Sequence, residues 1–217
     1  MKTIVYVDGF NLYYRALKNT KYKWLDLNSL CRSVLPAHCA IEAINYYTAR
    51  VSGRISQTSP KDQNTYLSAL KTLSNLSIHF GNFQVTEKMM FLTQPVEFRP
   101  PHLTPASPNP RFANVIKTEE KGSDVNLGVH LVRDAFLGKF EHAAIITNDT
   151  DLVEPLRIVV QEANLPVTLL SPVGKPAESL RRLANHVRFI NGHLPTSQFP
   201  DPLVDSNGKT ITKPAGW

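Results

Sequence analysis

Residues 143–152 read AAIITNDTDL, an apolar run that ends abruptly in two aspartates one residue apart. Such a run predicts a strand that is buried on both faces of a parallel sheet. A second apolar run, IVYV at 4–7, ends in the same way at Asp8. In open α/β sheets, sites form beyond the carboxyl ends of the strands, where the strand order reverses. We therefore expect Asp8 and Asp149 to lie at one crevice.

Strands alternate with helices along the rest of the chain, which predicts an α/β fold with a mostly parallel sheet and helices on both faces. The predicted strands cover 2–7, 41–51, 77–85, 112–124, 142–148, 166–172 and 186–190. The predicted helices cover 10–19, 27–36, 62–76, 124–138, 151–164 and 178–185. Six prolines between 93 and 110 predict a long irregular insertion. We expect one domain over residues 1–193, followed by an extended tail at 194–217.

Composition narrows the class of protein further. The 217 residues, 42% of them apolar, suit one α/β domain and contain no membrane-length apolar run. The first residues lack the pattern of a signal peptide, so we expect a cytoplasmic protein. A net charge of +6 favours a polyanionic partner, chiefly nucleic acid. Cys31 and Cys39 flank His38 at a spacing that fits no zinc template, which favours inert thiols.

Acidic residues stand at element ends in three blocks, YVDGFNLYY at 6–14, EEKGSDVN at 119–126 and TNDTDL at 147–152. If their carboxylates converge, two charges about 4 Å apart repel by roughly 4 kcal/mol at an effective dielectric of 20. Protons or a cation must relieve that repulsion, and an all-oxygen site suits Mg²⁺ or Mn²⁺. The other interpretation is structural, because each aspartate is also a good cap for the helix that follows it.

The three blocks, in this order, resemble the signature of NYN domains, which belong to the PIN-like superfamily of metal-dependent nucleases. The resemblance covers about residues 1–190. It implies a doubly wound sheet with strand order 3-2-1-4-5 and ribonuclease activity with Mg²⁺ or Mn²⁺. The residues that match the family's catalytic positions are Asp8, Asn11, Asp124, Asp149 and Asp151, of which the four aspartates are the implied metal ligands. Many relatives carry a further acid where this chain has His130, which favours one metal ion; Asp134 lies one turn later.

On this interpretation, Asp8 and Asp149 bind an ion that activates water for phosphodiester hydrolysis. Asp124 or Asp151 holds a second ion or positions the water, and Asn11 orients Asp8 or contacts a phosphate. Candidate contacts to RNA phosphates are Lys121, Arg15, Arg99 and Arg111.

Two other functions remain open. The same blocks occur in a branch named hydroxy-succinoylpyridine monooxygenase, although no Gly-x-Gly-x-x-Gly fingerprint for a flavin or nicotinamide follows any predicted strand. A non-catalytic RNA-binding module is the third possibility. The sequence is compatible with a homodimer and does not require one.

Overall fold

The computed structural model describes residues 1–53, 58–93 and 111–217. Its longer strands, in chain order, are β1 (Lys2–Asp8), β2 (Ala40–Thr48), β3 (Leu76–Phe80), β4 (Asn82–Phe91), β5 (Phe112–Lys121), β6 (His142–Ile146), β7 (Val167–Ser171) and β8 (His186–Phe189). Six of them form one sheet in the order β3-β2-β1-β6-β7-β8, and every neighbouring pair is parallel. If the strands of this sheet alone are numbered along the chain, their order is 3-2-1-4-5-6, which is the expected order 3-2-1-4-5 with one further strand at the edge. This confirms the predicted doubly wound α/β fold.

Helices cover both faces of the sheet, as predicted. In chain order they are α1 (Gly9–Leu12), α2 (Leu27–Val34), α3 (Ser59–Leu70), α4 (Ser123–Phe136), α5 (Val153–Arg157) and α6 (Glu178–Leu183). The first and fifth continue into π-helical turns at Tyr13–Leu17 and Ile158–Glu162. Among the described residues, no helix has the length and apolarity needed to cross a membrane.

Side-chain alternation along β1 divides the core into two layers. Val5 and Val7 face α2 and α3 and belong to one cluster of buried apolar residues. Ile4 and Tyr6 point to the opposite face and join the second cluster, which contains Leu127 of α4. Because β1 is buried on both faces, its run between Thr3 and Asp8 carries no charged residue, and Tyr6 is the residue with a polar group.

One sequence prediction about the sheet is wrong. Residues 77–85, predicted as a single strand, are divided at Gly81 between β3, which lies in the parallel sheet, and β4, which does not. Strands β4 and β5 pair antiparallel over ten residues each and form a separate two-stranded ribbon. A Cβ at Gly81 would lie 2.6–2.7 Å from Glu120 Oε1, the Lys121 carbonyl and the Ser123 nitrogen. Only glycine allows the chain to leave the sheet so close to the start of α4.

The predicted proline-rich insertion lies, from residue 94 on, outside the described residues, and Arg99 lies with it. The ribbon is therefore described up to Thr93 and again from Arg111. At that end, the Leu92 N–H donates to the Arg111 carbonyl at 2.9 Å. At the other end, Asn82 pairs with Lys121, next to α4.

The C-terminal segment packs on the domain. Leu25 forms a bridge with Gln198, and the Trp24 indole N–H donates to the Pro200 carbonyl at 3.1 Å. Two short strands, β9 (Leu203–Val204) and β10 (Thr210–Ile211), then form a small hairpin. The Trp217 ring lies 5.8 Å from the Tyr66 ring, centroid to centroid.

Candidate active site

Asp8 ends β1 at the position where the sheet order reverses, beside β6. Its carboxylate is buried, and its Oδ1 accepts the Asn11 N–H at 2.9 Å, which caps α1. A Cβ at Gly9 would meet the Tyr46 ring and the Tyr47 carbonyl at 2.6–2.7 Å. Glycine at this position lets the chain turn directly from strand to helix against β2, which keeps Asp8 at the sheet edge.

Thr147 joins the ends of β1 and β6. Its hydroxyl donates to Asp8 Oδ2 at 3.0 Å, and the same oxygen accepts the Asp149 N–H at 3.0 Å. Asp149 Oδ1 in turn accepts the Asp151 N–H at 3.0 Å and caps the 3₁₀ turn Thr150–Leu152. Asp8 and Asp149 therefore both act as caps, in agreement with the structural interpretation. Each of them accepts a main-chain N–H with only one of its two carboxylate oxygens.

Asn11 connects the same two segments from the helix side. Its side-chain Oδ1 accepts the Asn148 N–H at 2.9 Å, while its own N–H donates to Asp8. Asn148 extends the chain of contacts, because its Oδ1 accepts the Ala177 N–H at 2.7 Å. Asn11 thus positions the loop after β6.

The third carboxylate comes from the start of α4. Asp124 lies in the first turn of that helix, after Gly122, whose φ of +91° favours glycine. Glu120, the penultimate residue of β5, accepts the Ser123 N–H at 2.9 Å with Oε1. Our sequence analysis missed Glu120. Its place in the block 119–126, directly before the predicted helix, is the sequence signal that would have indicated it.

These carboxylates line one open cavity of about 300 Å³, which we call the acidic cavity. Its lining residues are Asp8, Phe10, Asn11, Tyr14, Arg15, Glu120, Asp124 and Asp149. The structure therefore brings together three of the four predicted aspartates, from three distant parts of the chain.

The electrostatics of the cavity favour uptake of positive charge. Burial raises the pKa of Asp8 to about 7, with further upward contributions from Asp124 and Asp149, against the hydrogen bonds from Asn11 and Thr147. Burial, then Glu120, Asp149 and Asp151, raise the pKa of Asp124 to about 6. Burial, with a smaller contribution from repulsion between the carboxylates, thus raises both pKa values towards neutrality, which is the behaviour expected of a site that accepts a cation.

The chemistry of this donor set fits a hard divalent cation such as Mg²⁺ or Mn²⁺. Across residues 1–53, 58–93 and 111–217, no group of three or more His, Cys, Asp or Glu side chains is arranged so that it could hold a metal ion. Mg²⁺ retains several waters and is commonly held by only one or two carboxylates. Two carboxylates would come from Asp8 and Asp149, which follow adjacent strands. Asp124 and Glu120 line the same cavity.

The other predicted site residues lie at various distances from the cavity. Arg15 lines it. Asp151 is exposed and outside the lining, although its charge contributes to the raised pKa of Asp124. Lys121 is exposed at the base of the ribbon. Arg111 precedes the far end of the ribbon, about 30 Å away at 3.3 Å per residue.

Asp134 does not take the place of the acid that His130 replaces. Its buried carboxylate accepts hydrogen bonds from Tyr6 at 3.0 Å and from Arg133 at 2.7 and 2.9 Å. His130 contacts the Tyr47 hydroxyl at 3.0 Å. Both residues therefore contribute to the packing between α4 and the sheet, and neither lines the acidic cavity.

A second cavity, of about 420 Å³, adjoins the acidic one and shares Phe10 and Tyr14 with it. We call it the aromatic cavity, because its walls include Phe10, Tyr13, Tyr14, Tyr66, Phe83 and Trp217. Of the two residues that the cavities share, Tyr14 is 56% exposed. The cavity is formed by segments far apart in sequence, so no local pattern indicates it.

The model of the NYN domain matches residues 2–191 of this chain. The chain belongs to the NYN domain family. That membership suggests nuclease-like chemistry and agrees with the strand order and with the carboxylates at the strand ends.

Two individual proteins resemble this NYN domain protein. The 6-hydroxy-3-succinoylpyridine 3-monooxygenase HspA of Pseudomonas putida is 28% identical over an alignment of 243 residues, which spans 100% of this chain and 75% of that protein. A crystal structure of a protein of unknown function from Vibrio parahaemolyticus superposes with a TM-score of 0.56 at 15% identity, over 87% of this chain and 92% of that one. The second similarity supports the fold alone.

Proposed function

We propose that this NYN domain protein is a metal-dependent ribonuclease that hydrolyses RNA phosphodiester bonds in the acidic cavity. The observation that carries the proposal is the meeting of Asp8, Asp124 and Asp149, with Glu120, around one open cavity. Acid clusters of purely structural origin are usually neutralised by basic partners. Here Arg15 is the basic residue among the lining side chains, and two of the acids keep raised pKa values.

The residues have separable roles in this reaction. Asp8 and Asp149 would hold the ion, with Asp124 and Glu120 beside them, and the ion would supply Lewis acidity and a water of lowered pKa. Thr147 and Asn11 hold the two strand ends in register through their hydrogen bonds to Asp8 and to the loop after β6. Arg15 faces the same cavity and would contact the phosphate.

The net reaction adds water across one phosphorus–oxygen bond, and the leaving oxygen takes up a proton. Without a bound ion, burial and the neighbouring carboxylates raise the pKa of Asp124 to about 6. Asp124 is a candidate to exchange that proton when it is not itself a ligand of the ion. Asp151, exposed beside the cavity, remains a candidate to position the water.

The test is incubation of the purified protein with labelled single-stranded RNA, structured RNA and DNA, in Mg²⁺, in Mn²⁺ and in EDTA. The proposal expects cleavage of RNA that EDTA stops and that added Mn²⁺ restores. RNA that stays intact under every metal condition, with a folded protein, would contradict it.

A second candidate function is oxidation of a small aromatic compound. The aromatic cavity beside the carboxylates favours it, as does the similarity to a protein named as a monooxygenase. Its test is the loss of a hydroxylated succinoylpyridine in air and under nitrogen, together with an absorption spectrum for bound flavin. Oxygen-dependent loss of the pyridine, with RNA left intact, would replace the nuclease proposal. Binding of RNA without cleavage would instead support a non-catalytic module.

A further inference from the structure

The aromatic cavity has the size and composition of a binding site. Its volume of about 420 Å³ lies within the roughly 300–1,000 Å³ of small-ligand sites, which are mainly apolar with a few polar groups. Asp62, Thr48 and Thr118 provide polar atoms among its aromatic walls.

Phe10 lines both cavities and lies near two other aromatic rings. The Phe10 ring is near-parallel to the rings of Tyr14 and Phe83, with centroid distances of 6.3 Å to each and interplanar angles of 15° and 21°. Offset, near-parallel rings beside a cavity offer faces on which a further planar ring can stack.

Positive charge surrounds the same cavity. Lys18 and Lys23 are lining residues, with their ammonium groups 4.9 Å from the Tyr14 ring centre and 6.0 Å from the Trp217 ring centre. Arg15 adds a third cation in the acidic cavity. Stacking rings combined with cations form the pattern by which proteins bind single-stranded nucleic acid without reading its sequence.

The base of the ribbon links the two cavities. Phe83 of β4 lines the aromatic cavity, and its register partner Glu120 of β5 lines the acidic one. Since these residues pair directly, a ligand that spans both cavities contacts one rigid element.

We propose that the aromatic cavity binds the base of a single-stranded nucleotide whose phosphate lies in the acidic cavity. This inference rests on the proposed function and adds the substrate class. The base leaves its stack to enter the cavity, so a duplex is a poor substrate. Stacking tolerates every base, so sequence preference is weak.

Trp217 allows binding to be measured without cleavage. The chain has two tryptophans, of which Trp24 is buried and Trp217 lies in the cavity wall. AMP and UMP contain no internal phosphodiester bond, and ribose 5-phosphate lacks a base. In Mg²⁺ we expect both nucleotides to quench the fluorescence saturably, ribose 5-phosphate to have no effect, and Trp217→Phe to remove the signal.

Two phenylalanines of β4 provide a matched pair of variants. Phe83→Leu removes a ring of the cavity, whereas Phe91→Leu removes a 78% exposed ring at the far end of the same strand. Phe83→Leu should weaken AMP binding by about 5- to 150-fold, the range for loss of one base–aromatic stack. In RNA cleavage it should raise KM with kcat nearly unchanged, and Phe91→Leu should change neither quantity.

The outcomes separate this inference from the proposed function. Equal quenching by ribose 5-phosphate and AMP, or equal effects of the two phenylalanine variants, would overturn the base site even if RNA is cleaved. Nucleotide binding that depends on Phe83, with RNA left intact in Mg²⁺ and Mn²⁺, would support the base site and remove the nuclease proposal.

Discussion

The Thr147 hydroxyl donates a 3.0 Å hydrogen bond to Asp8 Oδ2. The same oxygen accepts the main-chain N–H of Asp149. One buried hydroxyl therefore sets the separation of the two carboxylates that the proposed function assigns to the ion.

Thr147→Val keeps the shape of this side chain and removes both hydrogen bonds. We expect metal affinity to fall by about 10- to 100-fold, as for other residues that orient metal ligands, and stability to fall by about 1–3 kcal/mol. The control is Thr168→Val, which removes another buried hydroxyl, bonded to His142 at 2.8 Å. It should cost similar stability and leave the metal dependence of cleavage unchanged. Equal metal affinities in the two variants, measured by calorimetry, would refute the positioning role.

Asp8→Asn and Asp149→Asn should each lower metal-dependent RNA cleavage by more than about 100-fold. Both variants should fold, since asparagine also caps helices and the repulsion among the carboxylates is reduced. Asp26→Asn is the matched control, because Asp26 caps α2 by accepting the Asn28 and Ser29 N–H groups and lies outside the acidic cavity. Wild-type cleavage rates in both site variants with Mn²⁺ would show that the site is assigned wrongly.

Glu120→Gln and Glu119→Gln compare neighbours on opposite faces of β5. Glu120 lines the acidic cavity, whereas Glu119 forms an ion pair with Lys117. Loss of the Glu120 charge should lower the pKa of Asp124 towards its ordinary value and weaken Mn²⁺ binding by about 10-fold. NMR titration of the carboxyl groups and a Mn²⁺ titration measure the two effects. The Glu119 variant should match the wild type in both.

Stability should depend on pH through Asp8. Its pKa is raised from 3.8 in the unfolded chain to about 7, so between these values the folded protein binds more protons. The free energy of unfolding therefore falls as pH rises through this window, by about 4 kcal/mol from Asp8 at 1.36 kcal/mol per unit. Chemical denaturation from pH 4 to 8 in EDTA should show the decline, and Asp8→Asn should flatten it. Mg²⁺ should restore stability most at the alkaline end. A profile unaffected by the substitution would contradict the raised pKa.

Gly81→Ala should destabilise the protein by about 1–3 kcal/mol, because the new methyl group would lie 2.6–2.7 Å from Glu120 and from the main chain at Lys121 and Ser123. Gly174→Ala is the control, since an added Cβ there has no neighbour within 4 Å. Thermal unfolding compares the two variants. Equal melting temperatures would show that the ribbon does not depend on this close approach.

Sequence patterns predicted most strands of the central sheet, whereas the strand order came from the family resemblance and the end of β3 at Phe80 was missed. Buried strands such as 143–146 carry continuous apolar runs, and their ends locate Asp8 and Asp149 without further information. The ribbon was not predicted, because the pairing of β4 with β5 joins residues on either side of a long insertion. In β4, exposed Gln84 and Thr86 alternate with half-buried Phe83 and Val85, which is typical of a strand with one solvated face and was the available signal.

The positions around the carboxylates were harder to predict, because they depend on contacts between distant segments. Thr147 was quoted in the acidic block but was not recognised as the link from Asp8 to Asp149. Glu120 was likewise within a quoted block. The role of Thr147 depends on the contact between the end of β6 and β1. The role of Glu120 depends on the contact between the base of β5 and α4.

The ribbon also bears on how the protein tolerates change in evolution. Its ten paired residues on each strand place the described far end, at Phe91 and Phe112, about 30 Å from the base that holds Glu120. Insertions and deletions accepted beyond that far end would leave the pairing at Asn82 and Lys121 undisturbed. A change of length at this position is therefore expected to leave the mutual arrangement of the carboxylates unaltered.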